Sequence, residues 1–375
     1  MSQKYPVAKR LPTFNVTTRS AVFLVGWCSL ALLPLYYSLS YFAMGNAATG
    51  LVYLVLSGLY VWLLAPAITC YALTIYLQKH LNDRSYMRVD HAYTRALNWL
   101  KRAPVIKWPY LPSMTSNLAL THMYQGHYES AESLFREALQ EALKDKRQSA
   151  RPALVIYLFN AGAACARLEN YVEAELFYDQ ALEIAKSLSP AKAAVLSAWP
   201  LFGIGSARLQ LGELDSAEKY IEDAIHSLDS ARRSSDVRSS TAHLAIVRCH
   251  LLLALLNAKK GNWDQSQKCT DNFLEAVKRN PISVDTLCLT QIYQTVDQYL
   301  QQGLFDNAER LLELGYIIAK DFPFHPDSQR LIGSYEKLLL LTDRKSDVED
   351  MKHFLRSPAL LTFSGENKNA QDKAL

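Results

Sequence analysis

Residues 126–138 read Gly-His-Tyr-Glu-Ser-Ala-Glu-Ser-Leu-Phe-Arg-Glu-Ala, and the same frame returns at 169–181 as Glu-Asn-Tyr-Val-Glu-Ala-Glu-Leu-Phe-Tyr-Asp-Gln-Ala. It returns again at 212–224, where Gly212, Leu214, Ala217, Ile221 and Ala224 hold the positions of Gly126, Tyr128, Ala131, Phe135 and Ala138. Two looser copies follow, Gly261-x-Trp263-x-x-Ser266-x-x-x-Thr270-x-x-Phe273 and Gly303-x-Phe305-x-x-Ala308-x-x-x-Leu312-x-x-Gly315. Offsets of three and four place the small and large residues on one helical face. A small side chain there lets a second helix approach closely, while the larger neighbour fills the space beside the contact. Upstream of each copy lies a second helical stretch with a short residue at one fixed offset: Ala119, Gly162, Gly205, Ala254 and Val296. The unit is therefore a pair of tightly packed helices. The short residue recurs at 131, 174, 217, 266 and 308, steps of 43, 43, 49 and 42 residues. A coiled coil would need a heptad seam, and a four-helix bundle gives no reason for the frame to return.

This pattern resembles the tetratricopeptide repeat superfamily over roughly residues 112–320, in a long-period variety, since the common period is about 34 residues. The resemblance implies an all-α chain: about five helix pairs stacked as an α-solenoid, with capping helices to residue 356. Asp327 to Leu341 reads as one such cap, and residues 357–375 as a disordered tail. Pro190, Pro200, Pro281 and Pro323 are read as helix boundaries, and Pro152 as a helix start.

The N-terminal part has a different character. Lys4, Lys9, Arg10 and Arg19 make residues 1–20 basic, and no charge follows until Lys79. An uncharged run of 59 residues exceeds the ~20 needed to cross a bilayer, so two transmembrane helices are expected within residues 21–77, near 21–43 and 50–77, joined by a turn at 44–49. Lys and Arg flank both outer ends and are missing from the turn, which predicts an inner-membrane or plasma-membrane protein with both termini and the array cytoplasmic. Residues 78–111 form a basic juxtamembrane helix or linker. Its seven Lys and Arg against two Asp over 79–107 suit anionic lipid headgroups better than nucleic acid. Within it, Tyr93-x-x-Ala96-x-x-x-Leu100-x-x-Ala103 looks like half of a further helix pair.

Motifs for chemistry are missing: there is no phosphate-binding loop, zinc-protease helix or nucleophile elbow. Gly203-Ile204-Gly205 echoes a dinucleotide fingerprint but lies on a repeat helix and reads as close packing. His122 with His127, and His243 with Cys249-His250, lack further ligands for a metal. Six cysteines without C-x-x-C spacing read as small buried hydrophobes. No catalytic, cofactor or metal residue is therefore assigned, and no enzyme activity is expected.

The family resemblance implies instead a concave groove lined by the first helix of each pair. Here that groove would present Tyr124, Phe159, Arg167, Trp199, Phe202, Arg248, Lys259 and Tyr293 to a protein or peptide partner. Adaptors of the family that clamp a C-terminal carboxylate use Lys and Asn where this chain has Ser116 and Leu120, so that activity is not implied. The functional expectation is a membrane-anchored scaffold or adaptor. Its rivals are a structural assembly subunit recruited through the hairpin, and an enzyme at the bilayer edge around His80, Asp83, Arg84, Asp90 and His91.

Overall fold

The computed structural model describes residues 33–59, 62, 72, 86–102, 110–147, 150–233, 240–279, 286–320, 322, 325–344 and 347–348. These residues are helical, apart from turns and a 3₁₀ turn at Thr286–Cys288. The helices are α1 (33–43), α2 (47–59), α3 (Tyr86–Arg102), α4 (Tyr110–Gln125), α5 (Tyr128–Ala142), α6 (Arg151–Arg167) and α7 (Tyr171–Lys186). They continue as α8 (Pro190–Gln210), α9 (Leu214–Arg233), α10 (Ser240–Lys259), α11 (Trp263–Arg279), α12 (Leu289–Gln301), α13 (Phe305–Ala319) and α14 (Pro326–Leu341). Two compact units divide the chain: one holds Met123–Tyr128 and everything from Arg151, the other holds Pro12–His122 and Glu129–Ala150.

In the larger unit α6 pairs with α7, α8 with α9, α10 with α11 and α12 with α13, each pair stacking on the next as a tetratricopeptide-like solenoid. The repeated small residues are the contact points: Ala174, Ala217, Ser266 and Ala308 are fully buried, as are their partners Ala254 and Val296. At Gly205 a β-carbon would lie 2.7 Å from Ile221 Cγ1 and 3.2 Å from the Ala217 carbonyl, so α8 and α9 touch nearly backbone to backbone. Gly203-Ile204-Gly205 is thus a packing motif.

The turn between the helices of a pair is equally constrained. The amide of Glu213 bonds the Arg208 carbonyl at 2.9 Å, and the same bond returns in Asn170 to Cys165, Asn262 to Asn257 and Leu304 to Tyr299. That closure needs a left-handed residue just past the helix end. Gly212 supplies it at φ +84°, whereas in the α6–α7 turn Glu169 is forced to φ +62°.

The fourth copy is loose in sequence because the next pair completes it. Tyr299 of α12 reaches Ser266 at 2.8 Å and Thr270 at 2.7 Å, while Ser266 donates to the Ala254 carbonyl at 2.7 Å. The carbonyl can only accept, so the protons run in one direction, Thr270 to Tyr299 to Ser266 to Ala254. Pro190 opens α8 as expected, but Pro200 lies inside that helix, which continues through it. Packing on both sides of buried Pro200 offsets the ~3 kcal/mol usually lost to an interior proline. Pro281, Pro323 and the tail 357–375 lie outside the described residues.

In the smaller unit, α3 turns Val89, Tyr93, Leu97 and Leu100 inward, a stripe at helical spacing. It meets α4 through Asn117 to Tyr93 (3.5 Å) and His122 to Asp90 (3.6 Å), and α5 through Lys101 to Glu137 (2.6 Å). The turn between α1 and α2 is Met44-Gly45-Asn46 rather than 44–49, because Asn46 Oδ1 accepts from the Thr49 amide (3.2 Å) and starts α2 at residue 47. Tyr41 stacks on Tyr53 at 5.4 Å across this hairpin, and Ser38 donates to the Gly50 carbonyl at 2.8 Å.

The integral-membrane localisation is overturned: among the described residues no helix is long and apolar enough to cross a membrane. The two spans and the cytoplasmic placement of the termini and array rested on that reading and go with it, and nothing supports the lipid-headgroup contact near 79–107. Residues 1–32, 60–61, 63–71 and 73–85, on which much of the expected spans and basic collar fall, lie outside the described residues.

Two substitutions test the pair geometry by chemical denaturation. Gly205→Val should destabilise the chain by about 1–3 kcal/mol through overpacking at the α8–α9 contact. Glu169→Gly should stabilise it by up to about 1 kcal/mol, by relieving a left-handed non-glycine residue.

Candidate functional site on the inner helices

Contacts that skip a helix pair show which helices face inward. Gln210 of α8 donates to Gln294 of α12 at 3.0 Å, and Arg167 of α6 donates both to Thr290 of α12 and to Asp327 of α14. All of them join first helices of pairs, or the cap, so α6, α8, α10, α12 and α14 line the interior of the array. Their sequences fit that position: α8 and α10 meet neighbours on both sides and are apolar nearly all round, whereas α9 and α11 keep polar outer faces.

Two clusters stand on this face. In the first, Phe159 of α6 lies 5.6 Å from Tyr178 and 5.6 Å from Trp199 of α8. Trp199 meets Phe202 edge-on at 6.3 Å, and the Arg248 guanidinium of α10 sits 5.5 Å above the Trp199 ring. Phe159, Trp199 and Arg248 are half-buried, whereas Phe202 is only 8% exposed and belongs to the core. The result is a ladder across three successive first helices, apolar on one side and capped by a cation.

The second cluster is polar. Three donors converge on one oxygen, Oδ2 of Asp327: Thr290 Oγ1 at 2.7 Å, Arg167 at 2.9 Å and the Tyr128 hydroxyl at 3.4 Å. Asp327 is 4% exposed and Arg167 14% at the side chain, so the pair is largely shielded from water. His325, also buried, caps α14: its Nδ1 accepts from the Asp327 amide at 3.2 Å, which leaves Nε2–H to donate to the Tyr128 oxygen at 3.3 Å. Burial, reinforced by the Asp327 carboxylate, pushes the Tyr128 phenol up to about 12. Alongside, Arg330 donates to the Tyr293 hydroxyl at 3.0 Å and lies 3.6 Å from Asp327 Oδ1. Burial raises the Tyr293 phenol as well. Tyr293, Asp297 and Gln301 of α12 and Arg330, Ser334 and Lys337 of α14 bound an open cleft of about 480 Å³.

Of the eight residues read from sequence, the structure thus brings Phe159, Trp199, Phe202 and Arg248 into one ladder, and Arg167 and Tyr293 into the polar cluster. Tyr124 is 8% exposed, a core position, and Lys259 is exposed at the end of α10. Asp327, Thr290, Tyr128, His325 and Arg330 were missed. Their one sequence signal is His325-Pro326-Asp327, a helix start with proline at the first position and an acid in the first turn.

For chemistry the site offers little. The described cysteines 165, 249, 269 and 288 are buried, and burial lifts the Cys249 thiol to about 12, far from a reactive thiolate. His122 pairs with Asp90, whose carboxyl it holds below the usual range. Of the five residues suggested for a bilayer-edge enzyme, only Asp90 and His91 are described, and His80, Asp83 and Arg84 lie outside.

A raised phenol fixes the sign of a pH effect. The folded state favours neutral Tyr128, so its contribution is complete below pH ~10, the unfolded value, and is lost as pH rises towards 12. Tyr128→Phe should therefore flatten stability across that window and remove one late step from the phenolate absorbance titration.

Residues 110–187 and 153–230 match the family model described as tetratricopeptide repeat. Among solved structures, NprR in complex with its cognate peptide NprX is 16% identical, with 78% of each chain covered and a TM-score of 0.52. A Rap protein complexed with competence and sporulation factor is 13% identical, covering 86% of this chain and 99% of that one at a TM-score of 0.50. No curated protein matches the chain.

Proposed function

We propose that this chain is a binding scaffold, acting by recognition rather than catalysis, and that the inner face of its helix pairs holds a protein or peptide partner. The observation that carries this reading is the Phe159–Trp199–Arg248 ladder. Three adjacent first helices present half-buried aromatic rings and a cation in register, the composition that dominates binding energy at protein interfaces. Rings offer large area at small entropic cost, and a guanidinium stacked on an indole adds a cation to that apolar surface. The two solved structures named above are, by their own descriptions, complexes with a cognate peptide and with competence and sporulation factor, which favours a similar use here by analogy of fold.

The test compares the full chain with the double variant Trp199→Ala, Arg248→Ala, after circular dichroism and denaturation confirm that both fold alike. Phe202 is left intact because it is core. A peptide isolated by display on the intact chain should bind the double variant at least tenfold more weakly, about 1.4 kcal/mol, by fluorescence anisotropy. Equal binding by the two would place recognition elsewhere.

A further inference from the structure

Arg167, Thr290 and Tyr128 come from three elements, at the end of α6, the start of α12 and the start of α5, yet all three donate to a single carboxylate oxygen. The donors are also joined to each other, since Arg167 donates to Thr290 as well as to Asp327. The carboxylate that fills it arrives from the far end of the chain, on the first turn of the capping helix. We propose that this cradle is an acid-binding subsite of the inner face and that Asp327 is its built-in plug, standing where a side-chain carboxylate of a partner binds. The proposal rests on the scaffold reading and names the chemistry and regulation of that site.

Three observations favour a displaceable plug over a permanent staple. Ser328 Oγ, one residue beyond Asp327 on α14, is buried without a hydrogen-bond partner. A contact kept closed at all times would be expected to satisfy it. A second cation, Arg330, waits 3.6 Å from the other carboxylate oxygen, so an incoming acid meets two guanidinium groups. The cleft bounded by Arg330 and Lys337 opens beside the cradle and gives an extended acidic segment a place to continue. Because the plugged state must open first, partner affinity is reduced by the fraction of chains that are open.

The experiment uses the full chain and C-terminally amidated, fluorescein-labelled hexaglutamate, with amidated hexaglutamine as control. Asp327→Asn keeps the shape of the plug but removes its charge, and should bind hexaglutamate at least tenfold tighter than the unmodified chain. Adding Arg167→Gln to that variant should abolish the gain, and hexaglutamine binding should not change in any of them. Amide hydrogen exchange provides a readout on the unmodified chain: saturating hexaglutamate should speed exchange at residues 326–330. The plug is refuted if Asp327→Asn and the unmodified chain bind hexaglutamate alike, or if bound hexaglutamate leaves exchange in α14 unaltered. Loss of display-peptide binding in the Trp199, Arg248 variant would then still stand, so failure of the plug and failure of the scaffold reading are told apart.

Discussion

Everything in the larger unit follows from one steric constraint, that the two helices of a pair approach closely enough for short side chains to fill the crossing. At Gly205 an added β-carbon would fall within 2.7 Å of Ile221, and the fully buried Ala174, Ala217 and Ala308 mark the matching points of their own pairs. Close approach makes the pair rigid, and a rigid pair can only stack in one way on the next. The turn that joins the two helices must reverse the chain within a few residues, hence the left-handed residue at the end of each first helix. First helices are then enclosed between neighbours, and the side chains they turn inward become a surface that no single pair could make.

How far the sequence disclosed this depends on the range of the contacts involved. The first three copies were legible because their packing partners lie within the same pair, so small and large residues sit at fixed offsets. The fourth copy blurred because Thr270 stands where a large side chain is usual, and the space is filled by Tyr299 from the following pair through a chain of hydroxyls. A partner 29 residues away leaves no local trace. Glu169 shows the reverse case: the frame places it in the turn, but only the backbone reveals that it bears a glycine's conformation. The apolar N-terminal run was read from its lack of charge, and much of it lies outside the described residues.

The candidate site divides along the same line. Phe159, Trp199 and Arg248 were readable, because positions on first helices are set by the repeat and an aromatic or cation there faces inward or sideways. Asp327, Thr290 and Tyr128 were not, since they meet only after the array has carried the chain far enough round for its cap to reach its early helices. Nothing in the local spelling of His325-Pro326-Asp327 distinguishes an acid that stabilises its own helix from one that also pairs with a guanidinium 160 residues earlier.

That long-range pair alters the topology of stability. A solenoid behaves as a line of neighbours, each repeat held by the next, and lines come undone from their ends. Joining Arg167 to Asp327 ties a late element to an early one, so the stack between them becomes a ring in the network of contacts. In such a ring the capping helix does not leave without breaking its contact to α6. The segment between the two residues should then melt as one body rather than as a succession of repeats. Opening that link frees the cap, while Arg167 to Thr290 and Gln210 to Gln294 still tie first helices across the stack.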